Sequence, residues 1–137
     1  MTVQSELDAR ILDDVADALI YSDRAGTITR WNRASTALFG FSAGEALGQN
    51  LDLIIPEHLR AAHWKGFEAA LASGAMKLAG RPTLTRALHK SGHKLYIEMT
   101  FALVRDPGGT VVGSVAMARD VTERVERERA ARLAQNS

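Results

Sequence analysis

The stretch Gly92-His93-Lys94-Leu95-Tyr96-Ile97-Glu98-Met99-Thr100-Phe101-Ala102-Leu103 alternates, with Leu95, Ile97, Met99, Phe101 and Leu103 on one side and Tyr96, Glu98 and Thr100 on the other. Successive strand side chains point to opposite faces, so the pattern predicts a long strand with one buried face. Before it, Thr83-Leu84-Thr85-Arg86-Ala87-Leu88 alternates too, and Ser91-Gly92 supplies the turn between the two. After it, Asp106-Pro107-Gly108-Gly109 is a strong turn signal, and residues 111–117 read as a last strand.

Working upstream, Ala18-Leu19-Ile20-Tyr21, the turn Asp23-Arg24-Ala25-Gly26 and Thr27-Ile28-Thr29-Arg30 read as a hairpin. Trp31-Asn32 opens a short helix closed by Gly40, and Ser42-Ala43-Gly44-Glu45 has capping-box spacing. The apolar link at residues 51–55 leads to Pro56, which suits the first position of a long helix over residues 56–73, ended by Gly74. Residues 5–17 are expected to form a leading amphipathic helix, with Leu7, Ile11, Leu12 and Val15 recurring at helical spacing. Asp120 begins a charged trailing helix with Glu123/Arg127 and Glu128/Arg132 pairs. Helix, two strands, several helices, three strands and a helix predict an α+β fold with helices gathered on one face of an antiparallel sheet. The divisions expected are residues 1–16 (leading helix), 17–119 (sensor core) and 120–137 (trailing helix or linker).

Composition bounds the function. The 137 residues are 46% hydrophobic and 24% charged, ordinary values for one soluble domain. There is no cysteine, which excludes disulfides, thiolate metal sites and cysteine-based covalent chemistry. A net charge of +1, with arginines spread along the chain, gives no footprint for nucleic acid. Apolar runs are far below the ~20 residues that span a bilayer, and the acidic start lacks signal-peptide order, so the expectation is a cytoplasmic protein. Nucleophile elbows, phosphate loops, zinc-protease helices and paired carboxylates are missing, so no catalytic residues are expected and catalysis is expected outside this stretch.

The chain resembles PAS sensor domains from about residue 17 to 123. The resemblance rests on Asp17-Ala18-Leu19-Ile20 through Gly26-Thr27-Ile28 to Trp31-Asn32, on Phe39-Gly40-Phe41-Ser42 through Gly48 to Ile55-Pro56, and on Gly92, Asp106-Pro107-Gly108-Gly109 and Arg119-Asp120-Val121-Thr122-Glu123. It implies a five-stranded antiparallel sheet with helices over one face, regulating a neighbouring module such as a histidine kinase or a cyclic-nucleotide enzyme. The same scaffold holds haem, flavin, metabolites or nothing, so pocket residues must decide.

On a wheel of about 100° per residue with Leu59 at zero, His63, Gly66, Phe67 and Ala70 fall within ~80°, while Glu57, Ala61, Lys65 and Glu68 lie away. His63 is therefore expected to face the sheet, and Gly66 to allow something broad to approach the helix. An inward histidine is either a hydrogen-bonded core residue or a metal ligand; a neutral imidazole is a good axial ligand for haem iron. Here Ile55-Pro56-Glu57-His58-Leu59-Arg60-Ala61-Ala62-His63 resembles the helix start of haem-binding PAS proteins of the FixL and Dos types. The resemblance implies haem b on His63, beside which the wheel sets Leu59 and Phe67, and a diatomic gas (O2, CO or NO) or redox state as the signal. It also implies Met99 and Phe101 as the apolar distal wall and Ala116 as the small residue on the last strand.

The departure is at the gas-stabilising position. The FixL-type arginine falls on Thr83 and the Dos-type methionine on Arg81, so Arg81 is the candidate to reach bound oxygen or a propionate, with a solvated surface arginine as the alternative. His58 lies about 140° from His63, and His89 and His93 flank a hairpin tip; none is given a role. Two other classes stay open. FAD, with which Trp31 is compatible, is one, Trp31 and Asn32 otherwise packing and capping a helix. A cofactor-free interaction module is the other, and for either reading a homodimer through the terminal helices is expected.

Overall fold

The alternating stretch is β4 (Lys94–Arg105), part of a five-stranded sheet in a computed structural model that describes residues 3–76 and 80–136. It pairs antiparallel with β3 (Thr83–Leu88) on one side and β5 (Val111–Asp120) on the other. β5 pairs with β1 (Ala18–Asp23) and β1 with β2 (Ile28–Trp31), giving the order β2-β1-β5-β4-β3. The α+β class and the five-stranded sheet are as expected.

β4 and β5 run longer than the sequence indicated. β5 continues past Met117 because Ala118, Arg119 and Asp120 keep pairing with Met99, Glu98 and Ile97, and Val121 N then donates to Tyr96 O. The trailing helix α5 (Thr122–Gln135) accordingly starts two residues after Asp120. Its ion pairs among the described residues are Arg124 with Glu98 and with Glu128, in place of the two pairs expected from spacing. Residues 1, 2 and 137 of the expected terminal segments lie outside the described residues.

The helices between β2 and β3 follow local chemistry. α2 (Arg33–Phe39) is capped by Asn32, whose Oδ1 accepts from Ser35 N, and closes at Gly40. α3 (Ala43–Ala46) carries the expected capping box, Ser42 with Glu45. A 3-10 turn (Leu51–Ile54) precedes α4 (Glu57–Ser73); Pro56 sits at the N-cap, one position earlier than expected. α1 (Val3–Asp14) leads into β1.

Alternate residues of the strands, Ala18 and Ile20, Leu95, Ile97 and Met99, and Ala118, form one core with Ile28, Trp31, Phe39, Ala46, Ile54 and Ala87. Phe101 and Ala116, which are register partners, pack against it. Asn32 binds the pieces together: its Oδ1 accepts from Leu19 N, Ser35 N and Ser35 Oγ, and its Nδ2 donates to Leu12 O and Asp17 O. The first and last strands are neighbours, and Arg119 pairs with Asp17 at 3.3 Å, so the start of the first strand and the end of the last lie together. No helix of the described residues is long and apolar enough to cross a membrane.

Candidate functional site

Trp64, which sequence reasoning did not single out, seats α4. Its Nε1 donates to Asp52 Oδ1 at 2.8 Å, and its ring lies over Gly26 in the β1–β2 turn. A Cβ on Gly26 would come within 2.2 Å of Trp64 Cη2, so the turn's glycine is needed for the close approach as well as for its φ of 83°. The signal available was Gly26 itself, a turn residue with room for a partner above it. At its other end α4 closes at Gly74, whose carbonyl accepts from Arg105 of β4.

Between these anchors His63 stacks on Phe67, with centroids 5.9 Å apart and planes at 28°, and meets Trp64 edge-on at 4.7 Å. Its Nδ1 is buried and makes no hydrogen bond. Burial pushes the imidazole pKa below its usual 6.5, against a smaller opposing pull from the Asp52 carboxylate. The ring is therefore neutral at pH 7, and a nitrogen lone pair is free. The buried hydrogen-bonded alternative for His63 does not describe this ring.

The expected site residues fall into two sets and one outlier. Met99, Phe101 and Ala116 share a sheet face, with Met99 buried and the other two packed against the core. His63, Phe67 and the half-buried Leu59 share α4. Among the described residues α4 contributes none of the core cluster: its one buried residue, Ala70, is outside it. Arg81 is exposed just ahead of β3. Gly66 is exposed and a Cβ there would meet nothing within 4 Å, so no group of the protein makes the close approach at Gly66. The helix is rotated by Trp64, which brings residues 60, 64 and 71 partly under cover and turns 66 out.

The other candidates are accounted for locally. Trp31 is buried, donates to Thr36 Oγ1 and Phe41 O and packs on Phe39 at 5.5 Å, so its role is structural. His58 is exposed. His89 and His93 stack at 4.2 Å across the hairpin tip and share Ser91 Oγ. Among the described residues no three His, Cys, Asp or Glu side chains converge as a metal group. A haem iron held by one histidine needs no such group.

A PAS fold family model matches residues 6–121. An uncharacterised protein of Azorhizobium caulinodans is 32% identical over 121 residues, 88% of this chain and 16% of that protein. The sensor protein FixL of Bradyrhizobium diazoefficiens is 42% identical over 53 residues, 39% of this chain and 10% of FixL. Sporulation kinase C of Bacillus subtilis is 30% identical over 125 residues, 90% of this chain and 28% of the kinase. The chain thus spans under a third of the length of these relatives. Among solved structures, the PAS domain of a Colwellia psychrerythraea protein matches with a TM-score of 0.75 and 26% identity, covering 88% of this chain and 98% of that one. An RNA-binding light-oxygen-voltage receptor matches with a TM-score of 0.72 and 26% identity, covering 98% and 38%.

Proposed function

Because the chain belongs to the PAS family, we propose that it is a sensory module of the kind found in sensor kinases, in which His63 holds haem b and a diatomic gas or redox change is the signal. The observation that carries this is the neutral His63 ring, whose buried Nδ1 has no protein partner. Leaving a buried polar atom unpaired is unfavourable by about 1–3 kcal/mol, a penalty that an imidazole engaged by a ligand avoids. The residue chemistry suits the group: a histidine nitrogen for the iron with Phe67 and Trp64 fixing its ring plane, and on the sheet face Met99, Phe101 and Ala116 as an apolar wall. When bound, haem supplies an iron able to take a diatomic ligand or change oxidation state.

The chain's own residues supply the relay. Met99 and Phe101 lie on β4 with Tyr96 and Glu98, whose contacts hold α5. Thr122 Oγ1 accepts from Tyr96 N at 2.9 Å, Arg124 pairs with Glu98 at 3.5 Å, and Arg129 lies 4.9 Å above the Tyr96 ring. A shift of β4 at the apolar wall moves these three attachments together. α5 then hands the change to an output module beyond it, a kinase being the class favoured by the FixL and sporulation-kinase relatives. Catalysis belongs to that module. The exposed Leu7 and Ile11 of α1 are the surface for a second copy of the chain, tested by comparing sedimentation with and without residues 1–16.

FAD is the second reading, favoured by the likeness to the light-oxygen-voltage receptor; with no cysteine in the chain it would be bound without a thiol adduct. An absorption spectrum of protein produced with haem and riboflavin supplied separates the readings. An intense Soret band that is lost in His63→Ala supports haem, paired weaker bands in the blue and near-ultraviolet replace it with flavin, and neither leaves an interaction module.

A further inference from the structure

Besides His63 Nδ1, the described residues contain one other buried side-chain polar atom without a partner, Ser22 Oγ. Ser22 is 1% exposed. It has the strand parity of Ala18 and Ile20, so it faces the core side of the sheet, and it pairs in register with Ser114, itself 8% exposed. Ser114 in turn faces Leu103 on β4, two residues from Phe101, as Ser114 is two residues from Ala116. The two serines are thus register partners on the face that carries the apolar wall, with no hydrogen bond between them.

We infer that Ser22, supported by Ser114, is the point at which the interior recognises a neutral hydrogen-bond acceptor atom of whatever is bound there. A hydroxyl needs only to rotate to find an acceptor, so an unbonded one in a nearly inaccessible position marks a place where no protein acceptor is offered. Neutrality follows from the surroundings. The cations nearest in the chain and the ladder are engaged with backbone carbonyls: Arg24 donates to Val111 O, and Arg105 to Gly109 O and Gly74 O. The Asp23 carboxylate accepts from Ala25 N and Thr27 N within its own turn. These charged groups are held by backbone partners of their own and none bonds Ser22 Oγ, and an unpaired buried charge is far more unfavourable than a neutral dipole. The acceptor is therefore the atom of a diatomic ligand under the haem reading, or a ring carbonyl under the flavin reading. The inference rests on the interior being a ligand site and on neither cofactor in particular.

Ser22→Ala tests it in three arms. Ligand-free melting of the variant is expected to match or exceed that of the wild-type chain, because the hydroxyl holds nothing; a fall of several degrees overturns the inference by making Ser22 structural. In the second arm, both proteins are loaded with haemin, reduced and given carbon monoxide, and the C–O stretch is read by infrared spectroscopy. In the third, both are titrated with riboflavin by fluorescence. A displaced C–O stretch, or riboflavin binding at least tenfold weaker, in the variant supports the inference and identifies the source of the acceptor. Equal behaviour of both proteins in both arms, including failure to bind either probe, overturns it. A Soret band with no Ser22 effect removes this inference and leaves the haem reading standing; a riboflavin effect without a Soret band does the reverse.

Discussion

Gly26→Ala is the sharpest probe of how α4, and with it His63, is seated. The added methyl would sit 2.2 Å from Trp64 Cη2 and 2.6 Å from Cζ3, so the indole must leave. Alanine at a φ of 83° is unfavourable by about 1–2 kcal/mol. Displacing the indole also breaks the 2.8 Å bond from Trp64 Nε1 to Asp52, roughly 1 kcal/mol. With some lost ring contact the total is about 3 kcal/mol, which for a domain of this size lowers Tm by roughly 10 °C. In a Trp64→Ala background only the backbone part remains, so Gly26→Ala should there be unfavourable by about 1–2 kcal/mol. Urea unfolding of the four proteins gives the coupling energy, expected at about 1–2 kcal/mol. Additivity within about 0.5 kcal/mol would refute the seating of α4 on this turn.

Three further outcomes follow from the same structure. Asn32→Ala removes five hydrogen bonds joining α1, β1 and α2 and should lower urea-unfolding stability by about 3 kcal/mol; Asn32→Asp should also destabilise, since Leu12 O and Asp17 O lose their donor. Burial lowers the folded-state pKa of His63, so the unfolded chain binds the proton more tightly; stability is full above about pH 6.5 and falls as pH drops through the folded-state value, by at most about 1.4 kcal/mol per pH unit. In His63→Asn that part of the pH dependence should vanish, and an unchanged slope in urea melts at pH 5 to 7 would contradict it. Thr122→Val removes the hydroxyl that accepts from Tyr96 N and should make tryptic cleavage within α5 about fivefold faster while the melting of the core changes little.

The fold was legible because its strands carry the information locally. β4 alternates over its length, and the turns at Gly92 and at Pro107-Gly108-Gly109 fix where it starts and stops. The far end of β5 was not legible, since Arg119 and Asp120 pair through backbone groups that every residue has. For α4 the wheel found His63 and Phe67 but set the covered face by the helix's own apolar residues. The actual rotation is chosen by tertiary contacts, the indole of Trp64 reaching Gly26 and Asp52, which turn Gly66 outward. Ser22 was invisible for a different reason: what distinguishes it is the lack of an acceptor nearby, a property of the packed interior and not of a serine in a strand.

The central claim is that the His63 imidazole is an iron ligand and not merely a piece of α4. Chemical rescue asks this most directly: haemin is titrated into wild-type protein, into His63→Gly, and into His63→Gly with free imidazole added, with the Soret band as readout. The account predicts a stoichiometric band in the wild type, its loss in the variant and its return with imidazole. A wild-type chain that gives no Soret band, or a variant that binds haemin as the wild type does, would contradict it.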